Sequence, residues 1–235
     1  MPTLLLRLAG PLQSWGSGSK FNTRGTEKEP SKSGVIGMMA AAMGLSRDSD
    51  ISDLANLRFG VRIDQPGKVL RDYHTAHGDK NKVDYVTERH YLADAAFLVG
   101  LEGDMSRLQE MNGALRYPVY PIFLGRRSCP PSGRVSLGIR DASLEDSLRN
   151  EPWQASDWFR NRHSDGMMLD MMIETDSGAL FHDQPITYSQ NGRSFGFRKA
   201  EYIGNAVKVG NSPDGDRSPA ETADTDFFSG VRGSI

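Results

Sequence analysis

The order of its apolar segments constrains this chain more than any other feature. Leu4-Leu5-Leu6-Arg7-Leu8-Ala9 reads as a buried strand, stopped by Gly10 and Pro11. Ser31, just after Pro30, fits a helix N-cap. Val35, Ile36, Met39, Ala40 and Met43 then recur on one helical face, and Gly44 suits its end. Phe59 to Asp64 alternates as a second strand, and Ala95 to Leu101 reads as a third. Met105 to Leu115 carries Leu108, Met111 and Leu115 on one stripe, a second helix closed by Pro118 and Pro121. A fourth strand is expected near Val135 to Ile139.

The expected order is β-α-β-(arm)-β-α-β. That is a modified ferredoxin-like arrangement of the α+β class, related to the RNA-recognition fold. The arm is residues 66–92, polar and studded with Tyr73, His74, His77, Tyr85, Arg89, His90 and Tyr91; it reads as an extended β-hairpin rather than a core element. A boundary is expected near residue 140, with 1–140 as the main domain and 141–235 as a smaller, β-rich C-terminal part. Met167 to Glu174 and Pro185 to Val209 are its candidate strands. Residues 211–226, rich in Asp, Pro, Gly and Ser, read as a mobile tail.

Charge narrows the function. The formal net charge is −2, which by itself argues against a polyanion partner. Its distribution argues the other way. Residues 1–47 hold six Lys or Arg against two acids, and 116–140 hold five Arg and no acid, whereas 141–183 hold three Arg against ten acids. One basic and one acidic face are expected, unless folding mixes the segments. The single thiol, Cys129, forms no internal disulfide and no Cys-rich zinc site. No run of about 18 apolar residues spans a membrane, and Met1 to Arg7 lacks the features of a signal peptide. A cytoplasmic protein without metal or cofactor is expected.

Two loops carry the chemistry. In the first, Gly16, Gly18 and Gly25 permit close backbone approach, while Lys20, Arg24 and Lys32 supply charge for phosphates. The amides opening the following helix offer an anion site, and Trp15 is placed to stack on a base. The plain alternative is a surface loop with Trp15 in the core. The spacing is not that of a Walker phosphate loop, which weakens a nucleotide-enzyme reading. In the second loop, Arg126 and Arg127 sit on a stretch stiffened by Gly125, Pro130 and Pro131, suited to phosphate recognition; the alternative is arginines paired with the acids of 141–183. Tyr73, His74, His77 and His90 also admit a metal-independent ribonuclease, with one group taking the 2′-hydroxyl proton and another protonating the leaving oxygen. Arg193 to Arg198 only partly echoes an aromatic RNA-binding motif, leaving Arg198 as a backbone contact.

Four segments together resemble one family. They are Leu12-Gln13-Ser14-Trp15-Gly16, the stretch from Pro30 to Gly37 containing Lys32 and Ser33, Arg89-His90-Tyr91-Leu92-Ala93-Asp94, and Leu124-Gly125-Arg126-Arg127-Ser128-Cys129-Pro130-Pro131. In this order they resemble the CasD family, the fifth family of CRISPR-associated proteins, found in type I-E Cascade complexes. The resemblance implies a RAMP-superfamily fold whose hairpin is a thumb. It implies a non-catalytic subunit that caps the Cascade backbone and holds the 5′ handle of CRISPR RNA. Its partners would be the backbone subunit CasC and the large subunit CasA, with target DNA met only through the complex. Some relatives in type I-C systems are processing ribonucleases, which keeps the histidine reading open. The expected RNA-binding residues are Gln13, Ser14, Trp15, Lys20, Arg24, Lys32, Ser33, Arg71, Tyr73, His74, Arg89, His90, Arg126, Arg127 and Arg198.

Overall fold

The computed structural model describes residues 1–16, 23–77 and 85–210. Lys20, the arm's tip and the tail at 211–226 therefore lie outside the described residues.

The apolar runs form the centre of a six-stranded antiparallel sheet. Strands β1 (Thr3–Ala9), β4 (Arg58–Gln65), β7 (Ala96–Glu102) and β8 (Ser136–Arg140) stand side by side as β8-β1-β7-β4. Helix α1 (Lys32–Ala42) lies between β1 and β4 in sequence, and α3 (Met105–Arg116) between β7 and β8. The leucines of β1 are buried on both of its faces, because each face is covered. Leu4, Leu6 and Leu8 pack with α1 and α3 residues such as Ile36, Met39, Leu108 and Met111. Leu5 faces the other way, onto Leu144 and Leu148 of α4 (Leu144–Asn150). Helix α4 sits so close that a Cβ on Gly100 would come 2.4 Å from Leu144, which explains a glycine in the middle of a strand.

Helix ends follow the sequence signals. Ser31 caps α1 by accepting from the Gly34 amide, and Gly44 follows the helix with a φ of +76°. Asp104 caps α3. A short helix, α2 (Ser52–Ala55), precedes β4.

The C-terminal part differs from expectation. Strands β9 (Met167–Thr187) and β10 (Ser194–Val209) form one long hairpin, and β9 pairs with β4 through Gly60↔Ile173, Val61↔Met172 and Arg62↔Met171. The hairpin thus extends the sheet past β4 and covers its edge. The acidic stretch, with α4 and α5 (Asp157–Arg162), is pinned beneath it. Arg62 and Asp64 are fully buried and paired at 2.7 Å, and Arg62 also donates to the carbonyls of Leu148, Glu151 and Pro152.

The arm forms as read. Strands β5 (Lys68–Ala76) and β6 (Tyr85–Ala93) pair antiparallel from Lys68↔Ala93 to Ala76↔Tyr85. Two short strands, β2 (Leu12–Gln13) and β3 (Thr23–Arg24), line the other edge of β6. No helix among the described residues is long and apolar enough to cross a membrane.

Candidate nucleic-acid interface

The first loop, the second loop and the base of the arm meet at one place. Ser14 accounts for part of this: its amide donates to the Leu124 carbonyl (3.1 Å) and its hydroxyl to the His90 carbonyl (3.2 Å). Gly125 permits the crossing. Its φ is +84°, and a Cβ there would lie 1.8 Å from the Ser14 carbonyl oxygen. Trp15 closes the loop back on itself, pairing with Glu27 in an isolated bridge, while the Trp15 amide donates to the Thr26 hydroxyl.

This junction holds a row of unpaired arginines. Arg126 reaches across to donate to the carbonyls of Arg24 (2.9 Å) and Gly25 (3.3 Å), and its guanidinium lies 4.6 Å over the Tyr91 ring. Arg89 shares the strand face of Tyr91 on β6, two residues away, and stands opposite Arg24 on β3. Arg127 is exposed on the same turn. Among the described residues no salt bridge is formed by Arg24, Arg89, Arg126 or Arg127, and Nε of Arg89 and Nη1 of Arg126 are buried without a hydrogen-bond partner. Such donors are costly to leave unmade, so a site that keeps two of them is suited to an incoming acceptor.

Other expected residues serve the framework. Gln13 is fully buried; its amide donates to the carbonyls of Leu8 and Ala95, and its oxygen accepts from the Trp15 indole. Trp15 is 1% exposed, so it has no face open to a base; the reading of it as a stacking ring gives way to a core residue held by Gln13. Lys32 is 2% exposed and bound to both oxygens of Glu174 at 2.9 Å. Burial pushes its ammonium below the usual lysine range, opposed by that carboxylate. Ser33 is buried too, its carbonyl accepting from the Tyr188 hydroxyl. Arg198 is 4% exposed and forked on Asp183 at 2.7 and 3.0 Å. Asp183 in turn accepts from the Lys32 amide at 2.8 Å, so the expected anion site at the start of α1 is already filled by a protein carboxylate.

The acidic segment is divided: Asp141, Asp146, Asp157, Asp165 and Asp176 are exposed, whereas four of its other acids pair with cations of the framework. Glu174 and Asp183 neutralise Lys32 and Arg198; Glu145 pairs with Arg58, and Glu151 with Arg140. The hydrogen bonds from Arg58 hold the Glu145 carboxyl below its ordinary range. These acids take the framework cations and leave the arginines of the two loops alone.

On the arm, alternation separates the remaining candidates. Arg71 stands opposite His90, and Tyr73 opposite Glu88, on one face; His74 stands opposite Thr87 on the other, the face of Arg89. Arg71, Tyr73 and His74 are exposed, and Arg71 is bonded to Glu88. His74 and His90 thus project to opposite faces and do not converge as an acid–base pair. The role of Tyr91 as the platform for Arg126, and that of Asp183 as acceptor from the Lys32 amide beside the Ser31 cap, are not visible at the level of sequence. Both act on partners far along the chain, and no local pattern marks them. Among the described residues no group of three or more His, Cys, Asp or Glu is placed to hold a metal ion.

The mixed α+β architecture with antiparallel sheets defines the class, that of solved CRISPR-associated proteins. A chain from a solved Cas protein superposes with a TM-score of 0.71 at 38% identity, covering 89% of this chain and all of that one. A chain of a CRISPR RNA-guided surveillance complex superposes at 0.76 with 32% identity, covering 88% of this chain and 91% of that one. The chain belongs to the CRISPR-associated protein (Cas_Cas5) family, whose profile matches residues 3–201. It is 38% identical over 162 residues to the CRISPR system Cascade subunit CasD of Escherichia coli (strain K12), which covers 60% of this chain and 72% of that protein.

Proposed function

We propose that the chain is a structural subunit of a type I-E Cascade surveillance complex in CRISPR defence, and that it grips the 5′ handle of CRISPR RNA at the junction of arm and loops. The observation that carries the RNA contact is the pairing of the arginines. Arg58, Arg62, Arg140 and Arg198 each have a carboxylate, whereas Arg24, Arg89, Arg126 and Arg127 are gathered at one edge with none among the described residues, and Nε of Arg89 and Nη1 of Arg126 are buried there without a hydrogen-bond partner. A phosphate backbone supplies the acceptors they lack. The strand order β8-β1-β7-β4 with its two intervening helices supports a ferredoxin-like, RAMP-type core. The β5–β6 hairpin then serves as the thumb, and its exposed Tyr73 and Arg71 face the backbone subunit and the RNA that passes it. Capping of the backbone, next to CasC and CasA, follows from the same reading. A processing ribonuclease would need two converging proton-transfer groups, and the opposed faces of His74 and His90 give it no support.

The test is binding of the full chain to a labelled CRISPR repeat RNA in EDTA, titrated with salt. Arg126→Ala combined with Arg127→Ala should weaken binding and reduce the slope of log K against log salt by about one unit per lost phosphate contact. An unchanged slope in a folded variant removes these arginines from the site. Cleavage of the RNA by the wild type would overturn the structural reading.

A further inference from the structure

A second cleft lies away from this junction, between α2 and the base of the β9–β10 hairpin. It is an open groove of about 590 Å³, lined by Lys32, Asn56, Glu174, Gln184, Phe197 and Arg198 among others. Two of its lining residues, Gln184 and Arg198, carry buried polar atoms without a partner. Arg198 spends Nε and Nη2 on Asp183, and its guanidinium lies 5.1 Å from the Phe59 ring centre and 5.3 Å from that of Phe181, but Nη1 donates to nothing. Gln184 donates from Nε2 to the Ala55 carbonyl at 2.8 Å, which fixes its amide, but Oε1 accepts from nothing. An unmet donor and an unmet acceptor thus share one cleft.

The chemistry of the occupant follows from what surrounds them. Three of the cleft's four cations are neutralised, Lys32 by Glu174, Arg58 by Glu102 and Glu145, and Arg198 by Asp183; the fourth, Lys199, is exposed and donates to the Asp176 carbonyl. A bare phosphate would meet Glu174 and Asp176 in the lining and cations whose charge is mostly taken, so a net anion gains little. A neutral group presenting one donor and one acceptor fits better. At the rim, Phe197 is 64% exposed and stacked on His182, with ring centres 4.6 Å apart and planes 29° apart. Exposed flat aromatics of this kind are platforms for another flat ring. Every nucleobase carries donors and acceptors on its edge and a stacking face.

We infer that this cleft receives one unpaired nucleobase of the bound RNA, with Phe197 stacking on it, Gln184 Oε1 accepting from its edge and Arg198 Nη1 donating to it. The inference rests on the RNA-binding reading above and extends it from phosphate contacts to a base pocket. It also differs in its salt dependence, because a base pocket releases no counterions.

The probe is a fluorescein-labelled single-stranded CRISPR repeat RNA, together with a set in which one position at a time is abasic. The full chain is compared with Phe197→Ala and Gln184→Leu; neither side chain closes the core, and a thermal melt checks folding. Each variant should bind about 10-fold more weakly than wild type, with the salt slope unchanged. One abasic RNA should lose the same affinity against wild type and lose nothing further against either variant. If both variants bind every RNA as wild type does, while Arg126→Ala with Arg127→Ala binds weakly, the base pocket is overturned and the phosphate site stands. If the variants keep RNA affinity but fail to assemble with the neighbouring subunits, the cleft holds a peptide and the inference is overturned. If the wild type binds no RNA, both readings fall together.

Discussion

Arg62 and Arg126 both lie at junctions of distant segments, and they are built in opposite ways. Arg62 is fully buried. It is forked on Asp64 and donates to three carbonyls, so none of its polar atoms is left unmet. Asp64 is equally saturated, accepting from the Gln154 amide at 2.6 Å while its carbonyl accepts from the Trp153 indole at 2.7 Å. Arg126 also crosses between segments, but only carbonyls and a ring receive it, and Nη1 is unmet. The lesson is that identity and burial do not separate a structural arginine from a binding one. Satisfaction does. A buried charge that meets every partner inside the chain holds the fold together, while one that stops short is held in readiness for an outside acceptor.

The sharpest way to test this contrast is to remove Arg62. Arg62→Ala leaves Asp64 charged and buried, and strips a donor from the carbonyls that pin the acidic segment beneath β4. Loss of one partner of a buried pair costs about 3–5 kcal/mol. In a chain of this size that corresponds to a melting temperature lower by about 10 °C. Arg126→Ala should shift the melt by far less, because it breaks no ion pair. Equal shifts for the two variants would erase the distinction drawn between them.

A smaller effect is expected from Gly125→Ala, which keeps every arginine and moves only the backbone beneath them. The new Cβ would collide with the Ser14 carbonyl, and φ of +84° is strained for alanine. The turn from 124 to 129 must shift, at a cost of about 1–3 kcal/mol. RNA affinity should fall with Arg126 and Arg127 still present. Full affinity in this variant would show that the alignment of the loop over Ser14 does not matter to binding.

These contrasts also mark what the sequence made legible. The four central strands and both long helices were readable because each is announced by a local pattern: Leu4 to Ala9 by an apolar run broken only at Arg7, α3 by Leu108, Met111 and Leu115. The arm was readable from its polar, aromatic composition. The β9–β10 hairpin was only half readable, since much of it is exposed and its pairing shifts register several times, which blurs the alternation. Of the proposed site, Arg89, Arg126 and Arg127 stand out in the sequence as candidates because they lie in segments that resemble a known family. At Lys32 the basic character is visible in the sequence but the carboxylate that takes it is not. Glu174 lies 142 residues from Lys32, and a pairing over that distance leaves no local trace. Trp15 failed for a similar reason. It sits among glycines and serines, yet Gly34, on the helix it packs against, leaves room for its ring; a Cβ there would come 2.9 Å from it.

The smallest effect should come from the arm. Arg71 and Glu88 form an ion pair across β5 and β6, with Arg71 60% exposed and Glu88 31% exposed. A pair so open to water gains little from its charges and loses side-chain freedom, so it contributes about 0–1 kcal/mol. Arg71→Ala should therefore leave the melting temperature within about 2 °C of wild type. It also frees Glu88 beside His90, on the face of the hairpin that the thumb reading turns toward RNA. If the arm lies along the RNA, that unscreened carboxylate weakens binding at low salt and the penalty fades as salt rises. Glu88→Gln should then act in the opposite direction, releasing Arg71 to a phosphate. Were both variants to bind like wild type at every salt concentration, this face of the arm would not meet the RNA, and the gripping surface would shrink to the loops and the base of β6.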